Sequence, residues 1–213
     1  ENRFTVKTVT KGKEQNKKIL CDQFGLDITK PLFVFIGRLV GEKAADILPD
    51  AIRTAIYQTQ GNACFLILGS GETSIEWELQ QMTNEYQGIY NAYIGYNEQL
   101  SHLIYAGADF LLMPSRVEPC GLNQMYAMRY GTVPVVRSTG GLKDTVTDMG
   151  DTDGFGIRFN NATIDDLAYS IGRGVSVYQD KKHMEWMRKY MMQIDHSWES
   201  TVSEYRQVYQ SLK

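Results

Sequence analysis

Cysteine, histidine and proline are scarce in this chain, with three, three and five respectively among 213 residues. Cys21, Cys64 and Cys120 are an odd number at wide spacing with no Cys-x-x-Cys, which argues against a disulfide framework and a zinc site and for a reducing compartment. His102, His183 and His196 stand apart, with no spacing that suits a metal. An excess of positive charge is also missing. The balance of 22 Lys and Arg against 25 Asp and Glu leaves a formal net charge of −3. A general nucleic-acid binder needs a basic face and is not expected, so an anionic ligand must be met by a few placed cations. No uncharged apolar run approaches the ~18 residues of a membrane span. The opening Glu1-Asn2-Arg3 lacks the marks of a signal peptide, so a cytoplasmic protein without membrane attachment is expected. Internal repeats and low-complexity stretches are absent. What remains is an ordinary globular composition, long enough for one large domain or two small ones.

Short apolar runs alternate with helical patterns along the chain. Leu32–Gly37, Cys64–Gly69, Asp109–Pro114, Val133–Arg137, Tyr90–Ile94 and Gly156–Phe159 read as strands. Apolar residues on both faces indicate a parallel sheet covered by helices, and the alternation predicts an α/β, doubly wound sheet of about six strands. Ile47, Leu48, Ala51, Ile52, Ala55 and Ile56 form a helical stripe. Pro49 fits only its first turn, which makes Asp46 the expected N-cap and leaves residues 38–45 as loop. Further helices are expected over Leu100–Ala106, over Leu122–Arg129, and from Ser197, an N-cap, to the end. Trp186, Met191 and Met192 read as packing residues. Residues 7–18, rich in Lys and polar side chains, read as a linker or a solvated helix, so that residues 1–18 enter a single domain spanning 1–213.

Ligands of doubly wound sheets sit beyond the carboxyl ends of the strands, so the loops there are the candidates for chemistry. Gly37-Arg38-Leu39-Val40-Gly41-Glu42-Lys43 brings two cations to a loop that leads into a helix, an arrangement that suits a diphosphate. Its alternative is a pair of solvated cations beside Glu42. Gly69-Ser70-Gly71-Glu72 lacks the third glycine of a dinucleotide fingerprint and reads as a tight turn. Tyr96, just past a strand, suits stacking on a base or sugar, or plain rim packing. In Pro114-Ser115-Arg116-Val117-Glu118-Pro119-Cys120-Gly121-Leu122-Asn123-Gln124, the backbone N–H groups of Gly121, Leu122 and Asn123 open a helix and form a second anion site. Glu118 there suits hydroxyl groups better than phosphate. Cys120 has no nearby histidine to act as a base, which makes cysteine catalysis a poor fit. Arg137-Ser138-Thr139-Gly140-Gly141-Leu142 opens another helix through two glycines.

Together these segments resemble one family, the bacterial glycogen synthases and plant starch synthases, which are retaining glucosyltransferases of the GT-B architecture. Residues 35–43, 94–98, 114–124 and 137–142 carry the resemblance, with Asp195-His196-Ser197-Trp198, in order and spacing from about Lys11 onward. The resemblance implies a Rossmann-like C-terminal half whose N-terminal partner domain, with its acceptor-binding residues, has no counterpart here. Positions matching Arg38 and Lys43 contact the donor diphosphate in the family, and the one matching Tyr96 lies against adenine. The position matching Glu118 holds glucose hydroxyls with backbone at Cys120 and Gly121, while Leu122 and Asn123 match backbone contacts to phosphate. The implied catalytic set is Glu118, Arg38 and Lys43. The implied substrate-binding set is Gly37, Tyr96, Cys120, Gly121, Leu122, Asn123, Thr139 and Gly140. ADP-glucose and an α-1,4-glucan are the implied substrates, with neither metal nor cofactor. The tail helix at 197–213 is implied to cross back to the N-terminal domain. Tyr126 stands where related GT-B families carry a second glutamate, an absence that glycogen and starch synthases share. Ala44 stands where the family usually has Gly; a positive φ there would cost roughly 1–2 kcal/mol. UDP-glucose-using relatives, a nucleotide-binding module without catalysis and a sugar-nucleotide epimerase are the alternatives.

Overall fold

The computed structural model describes residues 2–212. Residues 1 and 213, included in the expected limits of the domain and its tail helix, lie outside the described residues. The strands are β1 (Leu32–Leu39), β2 (Cys64–Gly71), β3 (Tyr90–Ile94), β4 (Phe110–Met113), β5 (Val133–Arg137) and β6 (Ile157–Phe159). They form one parallel sheet in the order β3-β2-β1-β4-β5-β6. This is the predicted doubly wound, Rossmann-like arrangement, and its topological switch lies between β1 and β4. Leu32, Phe33 and Val34 of β1 and Phe65, Leu66 and Ile67 of β2 are fully buried, so these strands are apolar on both faces because helices cover both.

The helices are α1 (Val9–Phe24), α2 (Leu48–Gln58), α3 (Thr73–Glu85), α4 (Glu98–Gly107), α5 (Asn123–Arg129), α6 (Gly140–Thr145), α7 (Ile164–Gln179), α8 (Lys181–Met191) and α9 (Trp198–Ser211). No helix among the described residues is long and apolar enough to cross a membrane. Pro49 sits in the first turn of α2, as expected, but Ile47 rather than Asp46 occupies the N-cap position. Asp46 is drawn away by Arg116, whose guanidinium binds both of its carboxylate oxygens at 2.5 and 2.8 Å. The expected 38–45 loop is partly structured too. β1 runs on to Leu39, and short 3-10 turns follow at Gly41–Lys43 and Ala45–Ile47. Ser197 caps α9 as predicted, its hydroxyl accepting the Ser200 N–H.

Two readings of the sequence are corrected here. Gly69-Ser70-Gly71 is not a turn but the end of β2, paired in register with residues 37–39 of β1. A side chain at Gly69 or Gly71 would collide with the carbonyl oxygen of Gly37 or Leu39, so these glycines permit close strand approach rather than chain reversal. Residues 9–18 are not a linker, and the helix they form is solvated on one face only. They belong to α1, which buries Val9, Lys13, Asn16, Lys17, Leu20 and Cys21. Two of the lysines that make the segment look solvated, Lys13 and Lys17, point inward, while Lys11 and Lys18 stay exposed.

Lys17 shows why that is tolerable. Its ammonium meets Asp109 Oδ2 at 2.7 Å, the Lys30 carbonyl at 2.5 Å and the Tyr178 hydroxyl at 3.1 Å. Arg188 of α8 takes the other Asp109 oxygen at 2.5 Å, and the Leu32 N–H donates to Oδ2 at 2.9 Å. Asp109 therefore ties α1, β1 and α8 together at the amino end of β4. Burial by itself would raise the Asp109 carboxyl, but the adjacent Lys17 and Arg188 charges outweigh it and hold the group below the ordinary carboxylate range. Asp109→Asn, which leaves two cations buried without a counter-charge, is expected to cost about 3–5 kcal/mol in urea denaturation. Because the folded-state pKa is depressed, that contribution is present above about pH 4 and is lost as pH falls through the depressed value. The parent and variant curves should therefore converge in acid, and coincident urea midpoints at neutral pH would contradict the role of Asp109.

Candidate functional site

Beyond the carboxyl ends of β1 to β4 lie two adjoining cavities. The larger, about 440 Å³, runs from Gly37 and Arg38 across Gly69 and Gly95 to Tyr96. Its far wall is aromatic, made by Tyr105 of α4, Tyr126 of α5 and Tyr130 at the end of α5. The smaller, about 170 Å³, is lined by Lys43, Ser115, Glu118 and Leu122. Ile36, Gly37 and Asn123 line both and form the ridge between them. The Asn123 side chain donates to the Ile36 carbonyl at 2.8 Å, which locks the start of α5 to the end of β1 at that ridge.

The smaller cavity is built around an ion pair. Lys43 Nζ lies 2.6 Å from Glu118 Oε2, and the Ser115 hydroxyl donates to the same oxygen at 3.1 Å. Glu118 is 8% exposed, so its carboxylate is largely withdrawn from water and depends on these two donors. The turn that aims Lys43 passes through Ala44 at φ 53°, the left-handed conformation that the departure from Gly puts under strain. Ala44 is fully buried, and its N–H donates to the Gly41 carbonyl at 2.9 Å, so packing and a hydrogen bond hold the conformation.

A second set of contacts fixes the loop bearing Glu118. Arg116 bridges to the facing loop through Asp46 and the Gly41 carbonyl, and its N–H donates to the Glu42 carbonyl at 2.9 Å. The Arg116 guanidinium holds the Asp46 carboxyl below its usual range through this hydrogen-bonded pair. Arg137 Nε donates to the Ser115 carbonyl at 2.7 Å, and its terminal nitrogen to the Arg116 carbonyl. Gln124 donates to the carbonyls of Cys120 and Gly121 at 3.1 and 2.9 Å. From behind, the Gly141 N–H donates to the Glu118 and Pro119 carbonyls.

The predicted site residues thus divide. Gly37, Lys43, Glu118, Leu122 and Asn123 come together at the smaller cavity. Arg38 and Tyr96 line the larger one, where Tyr96 is 83% exposed at the mouth and Arg38 pairs with Glu42 at 3.4 Å. The two cations therefore serve adjoining cavities rather than one. Cys120, Gly121, Thr139 and Gly140 line neither. Gly121 has φ 73°, and a Cβ there would meet the Gln124 side chain; Gly140 has φ 43°, and a Cβ there would meet the Glu118 carbonyl. Ser115, His102 and the tyrosines at 105, 126 and 130 are lining residues that the sequence does not mark as ligand contacts. Ser115 is the most legible of them, standing three residues before Glu118 in the same motif. Among the described residues no group of three His, Cys, Asp or Glu side chains is placed to hold a metal ion.

A parallel sheet in this order, with paired cationic and carboxylate side chains at its switch point, is a doubly wound Rossmann-like domain with its candidate site where such folds bind ligands. The family model described as glycosyl transferases group 1 matches residues 30–176, and the chain belongs to that family. Within it, the similarity is to glycogen synthases. The chain is 54% identical over 206 residues to glycogen synthase of Flavobacterium johnsoniae, covering 97% of this chain and 43% of that protein. It is 44% identical over 204 residues to glycogen synthase of Rhodospirillum rubrum, covering 94% and 41%. The catalytic domain of starch synthase IV from Arabidopsis thaliana, solved bound to ADP and acarbose, superposes with a TM-score of 0.85 at 36% identity, over 98% of this chain and 44% of that one. The expected GT-B half is therefore the fold observed, and the chain spans less than half the length of the curated relatives it matches. Gly140→Ala, which drives a Cβ into the Glu118 carbonyl in a left-handed backbone, is expected to lower stability by about 1–3 kcal/mol. Thermal denaturation with an unchanged midpoint would show that Gly140 does not support the loop.

Proposed function

We propose that this chain is the C-terminal, donor-binding half of a glycogen (starch) synthase, which transfers glucose from ADP-glucose to the nonreducing end of an α-1,4-glucan with retention at the anomeric carbon. The observation that carries the reading is the Lys43–Glu118 pair beside a glycine ridge, with an aromatic cavity on the other side. A nucleoside fits the aromatic cavity, with Tyr96 at its mouth. The diphosphate crosses the ridge at Gly37, where the absence of a side chain lets phosphate oxygens approach the backbone. Glucose occupies the smaller cavity, where Glu118 accepts from its hydroxyls.

This division of labour resolves the oddity of a carboxylate near a diphosphate. Lys43 neutralises Glu118 at 2.6 Å while remaining within the cavity that adjoins the ridge, so one ammonium serves both sugar and phosphate ends. Breaking the glycosidic bond moves negative charge onto the departing diphosphate. Lys43, Arg38 and the first turn of α5 favour that charge more in the transition state than in the bound donor, which lowers the barrier. These groups take the place of a metal, and no cofactor is part of the reading. Cleft closure is assigned to the N-terminal domain of the full-length enzyme, acting in the cytoplasm. The tail helix supports such a partner: α9 buries none of its own residues, and Trp198, Tyr205 and Tyr209 are 81%, 63% and 67% exposed.

Competition calorimetry of ADP against UDP tests the donor: preference for ADP supports the reading, and preference for UDP moves the chain to another retaining sugar transferase. Lys43→Ala is expected to weaken ADP by ~1.5–3 kcal/mol, the worth of hydrogen bonds to a charged group, or about tenfold or more. Unchanged affinity would remove Lys43 from the diphosphate site. The chain by itself should incorporate no labelled glucose from ADP-glucose into glycogen, since half of the cleft is supplied elsewhere. Incorporation would contradict the need for a second domain.

A further inference from the structure

Lys13, in the segment whose sequence reads as solvated, is 2% exposed and takes no part in the chemistry proposed above. Its ammonium donates to the Tyr105 and Ala106 carbonyls at 3.2 and 3.3 Å, to the Tyr130 carbonyl at 3.1 Å and to the Thr132 hydroxyl at 2.7 Å. Thr132 Oγ1 in turn lies 2.6 Å from the Tyr105 carbonyl as a donor. The nearby carboxylate of Asp109 is taken by Lys17 and Arg188, so the contacts of Lys13 are with neutral acceptors. Tyr105 and Ala106 belong to the last turn of α4, and Tyr130 ends α5. One ammonium thus binds the carbonyl ends of two helices, where the helix dipoles favour a cation.

Those helix ends carry the aromatic wall of the larger cavity. The Tyr105 ring lies 6.0 Å from that of Tyr130, nearly parallel, and 6.1 Å from that of Tyr126, edge-on. Burial pushes the Lys13 pKa well below the ordinary lysine range, and the Arg188 charge adds to the shift. A polar group at this position is therefore costly, and an apolar side chain of similar length would fill the space. An apolar side chain offers no donor to tie the α4 and α5 carbonyls to one another. α1 is seated closely enough to act there, because a Cβ at Gly107 of α4 would lie 2.6 Å from Leu20 Cδ1 of α1.

We infer that Lys13 is a positioning residue for nucleoside recognition: by binding the carbonyl ends of α4 and α5 together, it sets the spacing of the Tyr105, Tyr126 and Tyr130 rings that wall the larger cavity. The inference rests on the assignment of that cavity to the nucleoside. Calorimetry with ADP and with inorganic pyrophosphate separates the two ends of the site. Lys13→Met should weaken ADP about tenfold while pyrophosphate affinity stays within about twofold of the parent, with an altered near-ultraviolet tyrosine circular dichroism. Thr132→Val, close in shape and without the hydroxyl that bridges Lys13 to Tyr105, should give the same selective loss at smaller amplitude, and it decides the matter if Lys13→Met does not fold. Parent-like ADP affinity in a folded Lys13→Met or in Thr132→Val, or equal weakening of ADP and pyrophosphate, would overturn the role of Lys13. A parent chain that binds ADP no better than pyrophosphate would overturn the cavity assignment and this inference with it.

Discussion

The ion pair between Lys43 and Glu118 joins, inside the crevice, the two loops from which the site is made. Lys43 comes from the chain after β1 and Glu118 from the chain after β4, the two strands that flank the topological switch. Each would be poorly placed alone: a carboxylate 8% exposed without a cation, or an ammonium on a turn held in left-handed backbone at Ala44. Together they fix the width of the crevice at its charged end. Arg116 to Asp46 repeats the same bridging, and Arg137 at the end of β5 ties the Glu118 loop down through the Ser115 and Arg116 carbonyls. The crevice is thereby built in advance of a ligand, which is the condition under which fixed charges stabilise a developing charge most effectively.

The two ends of the sheet are organised by different buried polar centres. At the carboxyl ends the Lys43–Glu118 pair belongs to the open crevice, whereas at the amino end of β4 Asp109 gathers Lys17, Arg188 and the Leu32 N–H in the interior. Lys13 lies close to the second centre, and its acceptors end the helices that wall the larger cavity. α1 therefore contributes to the crevice without any of its own residues lining it. This is a common economy in doubly wound folds, where binding residues sit on loops and their geometry is set by the layer behind.

Much of the sheet is legible in the sequence because both of its faces are covered. Runs such as Leu32–Gly37 and Cys64–Gly69 have no polar face to disguise them, and the structure lengthens each by two residues. The loops carrying Lys43 and Glu118 are legible because Gly, Pro and charge cluster there at strand ends. The remainder is hidden for physical reasons. Lys13 and Lys17 read as solvated because periodicity counts charge as surface, and only tertiary contacts supply Asp109 and the helix-end carbonyls. Tyr105, Tyr126 and Tyr130 are three of thirteen tyrosines, and nothing local distinguishes a ring that walls a cavity from one that packs in a core. Gly69 and Gly71 resemble a turn because the sequence does not reveal that a neighbouring strand presses against them. Cys120, Gly121, Thr139 and Gly140 join the expected ligand contacts by resemblance alone, and they line neither cavity.

The proposed function requires one nucleoside diphosphate to span the Gly37 and Asn123 ridge, with its base among the tyrosines and its phosphates next to Lys43. A crystal structure of the chain with ADP tests this most directly. The expected result is the base inside the larger cavity and the terminal phosphate at the ridge within reach of the Lys43 ammonium. Density for the base or the diphosphate on any other face of the domain would contradict it.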